Sequence, residues 1–198
     1  MDARLTQLLD DLYHRNAADD AEQADRLARW RTVEPDTAAL LAVLVRARAP
    51  RRLLELGTSS GYSAIWLADA ARAVGGRLTS VDLDPERTAV ARGNLGAAGL
   101  QPWVQLRTAD AGDVLAESAD DSWEFVFLDA ERPRYAGYWP DLRRALAPRG
   151  LLVVDNVVSH AEQVADLRAL VDADRTVTQA LAPTGAGALL VIAGESAG

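Results

Sequence analysis

Acids and amides recur along this chain directly after short apolar runs. Glu55 sits in Leu53-Leu-Glu-Leu56, which runs into Gly57-Thr-Ser-Ser-Gly61, and Asp82 closes Leu78-Thr-Ser-Val81. Asp110 follows a third run, Asp129 follows Trp123–Leu128, and Asp155 with Asn156 follows Gly150–Val154. A glycine turn after one strand and an acid at the tip of the next make a nucleoside half-site, because an ionised carboxylate accepts two ribose hydroxyls at once. Asp129, Asp155 and Asn156 offer a different chemistry. Two carboxylates and an amide oxygen, with neither Cys nor His among them, are hard donors that suit Mg²⁺, Mn²⁺ or Ca²⁺ better than zinc. Any one such aspartate could equally cap the helix that follows it. Five in succession at strand ends point to a ligand.

The elements that must carry these residues alternate. Strands are expected near 52–56, 77–81, 103–107, 123–128 and 150–154, and helices near 61–73, 85–98, 111–117, 135–146 and 161–172. The runs at 123–128 and 150–154 are almost continuously apolar, as strands covered on both faces are. Alternation of this kind predicts a parallel sheet with crossover helices, and ligands then bind beyond the carboxyl ends of the strands. Arg175–Leu181 and Ala188–Ala193, joined by a glycine-containing loop, read as an antiparallel hairpin at the sheet edge. Ahead of the sheet, residues 3–30 read as a polar helical arm with apolar stripes at Leu5, Leu8, Leu9, Leu12 and at Leu27, Trp30, broken near Asp19–Glu22. Asp36 is placed to cap a helix that Pro50 ends. The expected organisation is one domain: an arm over 1–33, a core over 34–193 and a frayed tail over 194–198.

Composition removes several function classes. The chain has 198 residues, 49% hydrophobic and 25% charged, and a net charge of −8. An acidic chain has no general attraction for nucleic acid or anionic membranes, and no apolar run approaches a membrane span. Without cysteine there are no disulfides, thiolate nucleophiles or thiolate metal ligands, which fits a cytoplasmic protein. All 21 basic residues are arginine.

The glycine loop lacks the full Gly-x-Gly-x-x-Gly of a dinucleotide site, and no basic residue lies in it to meet phosphate. Glu55 beside it would repel a pyrophosphate and welcome a cation. S-adenosylmethionine, with an ammonium, a sulfonium and no phosphate, satisfies that electrostatic demand.

Leu53–Leu67 (LLELGTSSGYSAIWL), Ser80–Pro85 (SVDLDP), Phe125–Tyr135 (FVFLDAERPRY) and Gly150–Asn156 (GLLVVDN) resemble the divalent-metal-dependent O-methyltransferases of the catechol and caffeoyl-CoA type. The resemblance implies a Rossmann-like α/β fold, doubly wound, with seven strands in the order 3-2-1-4-5-7-6, the last antiparallel, and extra N-terminal helices. It further implies cofactor contacts from Thr32, Val33, Glu55, Gly57, Ser59, Tyr62 and Ser63 at the methionine end. Asp82 would take the ribose, with Leu83, Asp110 and Ala111 around the adenine. Asp129, Asp155 and Asn156 would be the ligands of a magnesium-like ion, with Asp129 also near the cofactor, and Tyr135 would stand near a small hydroxylated aromatic substrate. A homodimer is the expected assembly.

One departure stands out. The family's lysine, three residues after the first metal aspartate, is replaced by Arg132, which cannot shuttle a proton at neutral pH. The ion alone then activates the hydroxyl, or another base such as His160 serves. Arg132 would instead hold a phenolate or an acidic substituent. Rival readings are a metal-independent methyltransferase, a protein that binds S-adenosylmethionine without turnover, and a nicotinamide oxidoreductase.

Overall fold

The computed structural model describes residues 1–25 and 28–195. Helix α1 (Ala3–Glu22) and helix α2 (Pro35–Arg48) precede the alternating part. There follow β1 (Arg52–Leu56), α3 (Tyr62–Val74), β2 (Arg77–Asp82), α4 (Pro85–Ala97), β3 (Val104–Thr108), α5 (Ala111–Glu117) and β4 (Trp123–Leu128). The chain ends with α6 (Tyr135–Ala145), β5 (Leu146–Val154), α7 (Ala165–Ala173), β6 (Val177–Ala182) and β7 (Ala188–Ala193). The strands form one sheet in the order β3-β2-β1-β4-β5-β7-β6. Pairing is parallel from β3 through β5, and β7 runs antiparallel to both β5 and β6. The expected doubly wound topology is therefore the observed one.

Strand parity decides which helix covers which residue. Leu53, Phe125, Phe127, Leu151 and Val153 face one layer with Leu5, Leu9 and Leu12 of α1, Leu41 and Val45 of α2, and Ile65 and Leu67 of α3. Their neighbours Leu54, Leu56, Val126, Leu128, Leu152 and Val154 face Tyr138, Trp139 and Leu142 of α6 and Leu167 and Val171 of α7. Both sets are essentially inaccessible to water. Burying both faces of the central strands explains why β4 and β5 read as unbroken apolar runs. The stripe Leu5, Leu9, Leu12 docks on the chain's own core.

Four boundaries differ from expectation. The arm is helical only to Glu22, and Asp19-Asp20-Ala21-Glu22 lies inside the helix because Asp20 uses its carboxylate at a distance, accepting from the backbone N–H of Trp30 and Arg31. Trp30 thus stands in a returning segment, while Leu27 lies outside the described residues. Helix α2 starts on Pro35 with Glu34 before it, so Asp36 sits in the first turn and caps nothing. Strand β5 begins at Leu146, which pairs with Trp123 before an irregularity that includes Arg149 at φ 60°. Helix α7 starts at Ala165 because the N–H groups of Val157, Val158 and Ser159 donate to the carbonyls of Ala186 and Gly187 in the hairpin loop, which holds that stretch out of a helix.

The turn from β1 into α3 depends on Gly57. Its φ is 107°, and a Cβ there would lie 2.1 Å from the backbone oxygen of Asp129. The conformation and the close approach both exclude a side chain. Gly57→Ala is therefore expected to lower stability by roughly 3 kcal/mol or more, combining backbone strain with overpacking. Urea unfolding of the variant against wild type measures it; a loss under about 0.5 kcal/mol, within the range of neutral surface changes, would contradict the assignment.

Candidate active site

Hydrogen bonds that continue the sheet beyond its strands bring the acids side by side. Asp129 N–H donates to Leu56 O, Asp155 N–H to Leu128 O, and Gly57 N–H to Val81 O. The result is a cavity of about 530 Å³ across the carboxyl ends of β1, β2, β4 and β5. Its wall includes Thr32, Val33, Gly57, Ser59, Tyr62 and Ser63 at one end and Asp82, Leu83, Asp110 and Ala111 at another. Asp129, Arg132, Asp155, Asn156 and His160 line the remainder.

At the Asp82 end the carboxylate is fixed from two sides. Its Oδ2 accepts from Ser59 N–H at 2.7 Å and its Oδ1 from Asp84 N–H at 3.0 Å. Capping of α4 falls to Asp84, so Asp82 is not a helix cap and keeps lone pairs toward the cavity. Leu83 beside it is 68% exposed, an apolar surface suited to a flat base. Asp110 does cap α5 through Gly112 N–H, and Arg134 also engages it in an ion pair. The hydrogen bond from Arg134 is the main reason its carboxyl titrates below the usual range.

Asp129, Asp155 and Asn156 converge. The Asn156 amide donates from one nitrogen to Asp129 Oδ1 and Asp155 Oδ2, each at 3.0 Å. Burial raises both carboxyl pKa values, Asp155 to about 6 and Asp129 well above the usual carboxylate range, with the charge of Asp155 adding to the rise at Asp129. Arg132 opposes the rise at both, and Glu34 adds to it at Asp155. Asp155 Oδ1 is buried without a hydrogen-bond partner. An orphaned carboxylate oxygen beside a second acid suits a cation, and a half-turn of the Asn156 amide would replace its NH₂ with a third oxygen donor. Among the described residues no three His, Cys, Asp or Glu side chains cluster to hold a metal. The donor set here is two carboxylates and one amide.

Two expected site residues lie elsewhere. Glu55 is fully buried beneath the cavity floor, because strand parity turns it toward α3 rather than into the cavity. It accepts from Ser80 Oγ at 2.5 Å, and Ser80 in turn meets Thr58 Oγ1 at 2.6 Å. It underpins the loop and does not face a ligand. Tyr135 is also fully buried, with its hydroxyl donating to Ala130 O at 3.2 Å. It packs with Tyr138, Trp139 and Leu142 in the core and is not a substrate contact.

Several residues went unseen in the sequence. Asn16, 3% exposed, donates to Thr32 Oγ1 and Ser60 Oγ, tying α1 to both the 30–34 segment and the glycine loop. Ser59 Oγ donates to Trp30 O, and the Arg87 guanidinium lies 5.7 Å from the centre of the Trp30 ring. Arg31 pairs with Glu131 at 2.9 Å. These contacts hold residues 30–34 over the cavity.

Comparison with known proteins agrees with this geometry. A family model described as O-methyltransferase matches residues 8–183. A catechol O-methyltransferase of Niastella koreensis is 37% identical over 130 residues, covering 64% of this chain and 58% of the relative. A catechol O-methyltransferase of Mycobacterium tuberculosis is 37% identical over 143 residues, covering 72% and 62%. The chain thus spans about 60% of the length of these two relatives. The crystal structure of an O-methyltransferase from Bacillus cereus, in complex with S-adenosylhomocysteine (SAH), superposes with a TM-score of 0.79 at 25% identity, covering 94% of this chain and 90% of that one.

Glu55 generates a pH prediction. Burial lifts its pKa from 4.5 to about 7, the nearby hydroxyls of Ser63 and Ser80 pull it back, and Asp82 pushes it up. An acid whose pKa rises on folding binds its proton more tightly in the native state. Its contribution is complete below about 4.5 and is lost as pH climbs through about 7. The change is on the order of 3 kcal/mol. In Glu55→Gln that share of the decline should vanish, which urea unfolding across the same pH window will measure; an unchanged slope would show that Glu55 does not titrate there.

Proposed function

Because this chain belongs to the O-methyltransferase family, we propose that it transfers the methyl group of S-adenosylmethionine to an oxygen of a small catechol-like, vicinal-dihydroxy aromatic, with a divalent ion, Mg²⁺ foremost, at Asp129, Asp155 and Asn156. The observation that carries the reading is one cavity joining the Asp82 cradle to the Asp129–Asp155 pair. The names of the two catechol O-methyltransferase relatives support the substrate class.

Each residue has work that follows from its position. Asp82 accepts from the ribose hydroxyls while its own backbone bonds keep it still. Gly57 lets the ligand lie against bare backbone, and Leu83 offers an apolar face to the adenine. Thr32, Val33, Tyr62 and Ser63 enclose the methionine end. Asp129, Asp155 and the Asn156 amide would hold the ion, whose Lewis acidity would lower the pKa of a substrate hydroxyl. A phenol begins near ~10, so a few units suffice at neutral pH. His160, on the same wall, is suited to receive the hydroxyl proton and pass it to solvent. The phenolate oxygen then bonds to the methyl carbon as the carbon–sulfur bond breaks, and that electron pair stays on sulfur, leaving a neutral thioether. Segment 30–34 keeps water from the sulfonium.

Two measurements test the two halves separately. Asp82→Ala should weaken SAH binding at least about tenfold by calorimetry, since charge-assisted hydrogen bonds are lost; undiminished affinity removes the nucleoside cradle. Methyl transfer to catechol should fall to background in EDTA, return with added Mg²⁺, and stay absent in Asp155→Ala. Full turnover in EDTA would falsify the role of the ion and leave the methyl transfer itself intact.

A further inference from the structure

Arg132 is 5% exposed yet makes a single hydrogen bond, from Nε to Gln163 Oε1 at 2.9 Å. Among the described residues no carboxylate comes within 4.0 Å of it, and no acceptor meets its two Nη nitrogens. Those nitrogens remain accessible from the cavity that the side chain lines. A buried guanidinium is costly to leave without an anion, and its two-pronged edge matches a carboxylate.

The charges around it say what is missing. Arg31 is balanced by Glu131, Arg134 by Asp110. If the proposed reading holds, a divalent ion balances Asp129 and Asp155, and the sulfonium balances one phenolate oxygen. Asp20 and Asp82 accept from backbone N–H groups and Asp84 pairs with Arg87. Glu34, a further acid of the lining, stands by Asp155 and Gly185, half-buried and outside ion-pair distance of Arg132. It is open enough to water to need no partner, whereas Arg132 is not. Arg132 lines the same cavity as Asp129, Asp155 and Asn156, and so belongs to the substrate end.

We propose, resting on the methyl-transfer reading, that Arg132 is an anion subsite: the preferred substrate is a hydroxylated aromatic bearing a carboxylate, which docks on the free Nη edge. The residue selects among catechols and takes no proton. The cofactor's own carboxylate is the other source of this chemistry, and the test separates the two.

Calorimetry on the protein loaded with SAH and Mg²⁺ should show protocatechuic acid, a catechol with a ring carboxylate, binding roughly ten- to hundredfold tighter than its primary amide. In R132Q the two should bind within about threefold of each other, and R132K, which keeps the charge, should retain most of the preference. Equal binding of acid and amide by wild type overturns the subsite, as does a preference that survives R132Q or no binding of the acid at all. A tenfold loss of SAH affinity in R132Q also overturns it, by assigning the guanidinium to the cofactor. Methyl transfer is read separately on both catechols: intact selective binding without turnover defeats the methyl-transfer reading and leaves the subsite standing.

Discussion

Two carboxylates held one strand apart at the sheet's rim, in a place that disfavours their charge, set the terms for the rest of this molecule. Asp129 and Asp155 are brought there by ladder hydrogen bonds that run past the ends of β4 and β5, so their proximity is a property of the sheet and cannot relax without unpairing it. The Asn156 amide mediates between them from a left-handed backbone, φ 65°. Gly57 presses the nucleoside loop against the backbone of Asp129 itself. The loop that cradles one ligand and the acids that concentrate negative charge are therefore mechanically one object. Arg132 and Arg31 enter the same field from outside and lower the cost of keeping two acids together.

Much of this was legible in the sequence, for a definite reason. Central parallel strands are apolar on both faces, so their carboxyl ends are marked by the first acid or amide after each run, and the strand-end rule converts that into a ligand site. The same arithmetic, taken further, would have corrected two misplacements. Glu55 shares parity with Leu53, which turns it toward α3, and Tyr135 stands three, four and seven residues before Tyr138, Trp139 and Leu142, the spacing of a buried helical face.

What stayed hidden was long-range. Asn16 meets partners 16 and 44 residues away, and Asp20 reaches ten residues ahead to the backbone of Trp30. Nothing local distinguishes that asparagine from a solvated one on a polar helix. The irregular start of β5 and the late start of α7 were likewise settled by pairing with other elements, with β4 for the first and the β6–β7 loop for the second. Side chains that tie elements together leave no period behind them.

The absence of lysine has a consequence for how the cavity answers its surroundings. Guanidinium groups keep their proton far above any physiological pH, so the cationic half of the wall, Arg29, Arg31, Arg87, Arg132 and Arg134, is electrically constant. Acetylation, which silences a lysine, has no target there either. Whatever tunes ligand capture in response to acidity must act through the carboxylic groups and His160, a one-sided titration in which protonation erodes the negative charge of an acid-rich rim while its cations stay fixed.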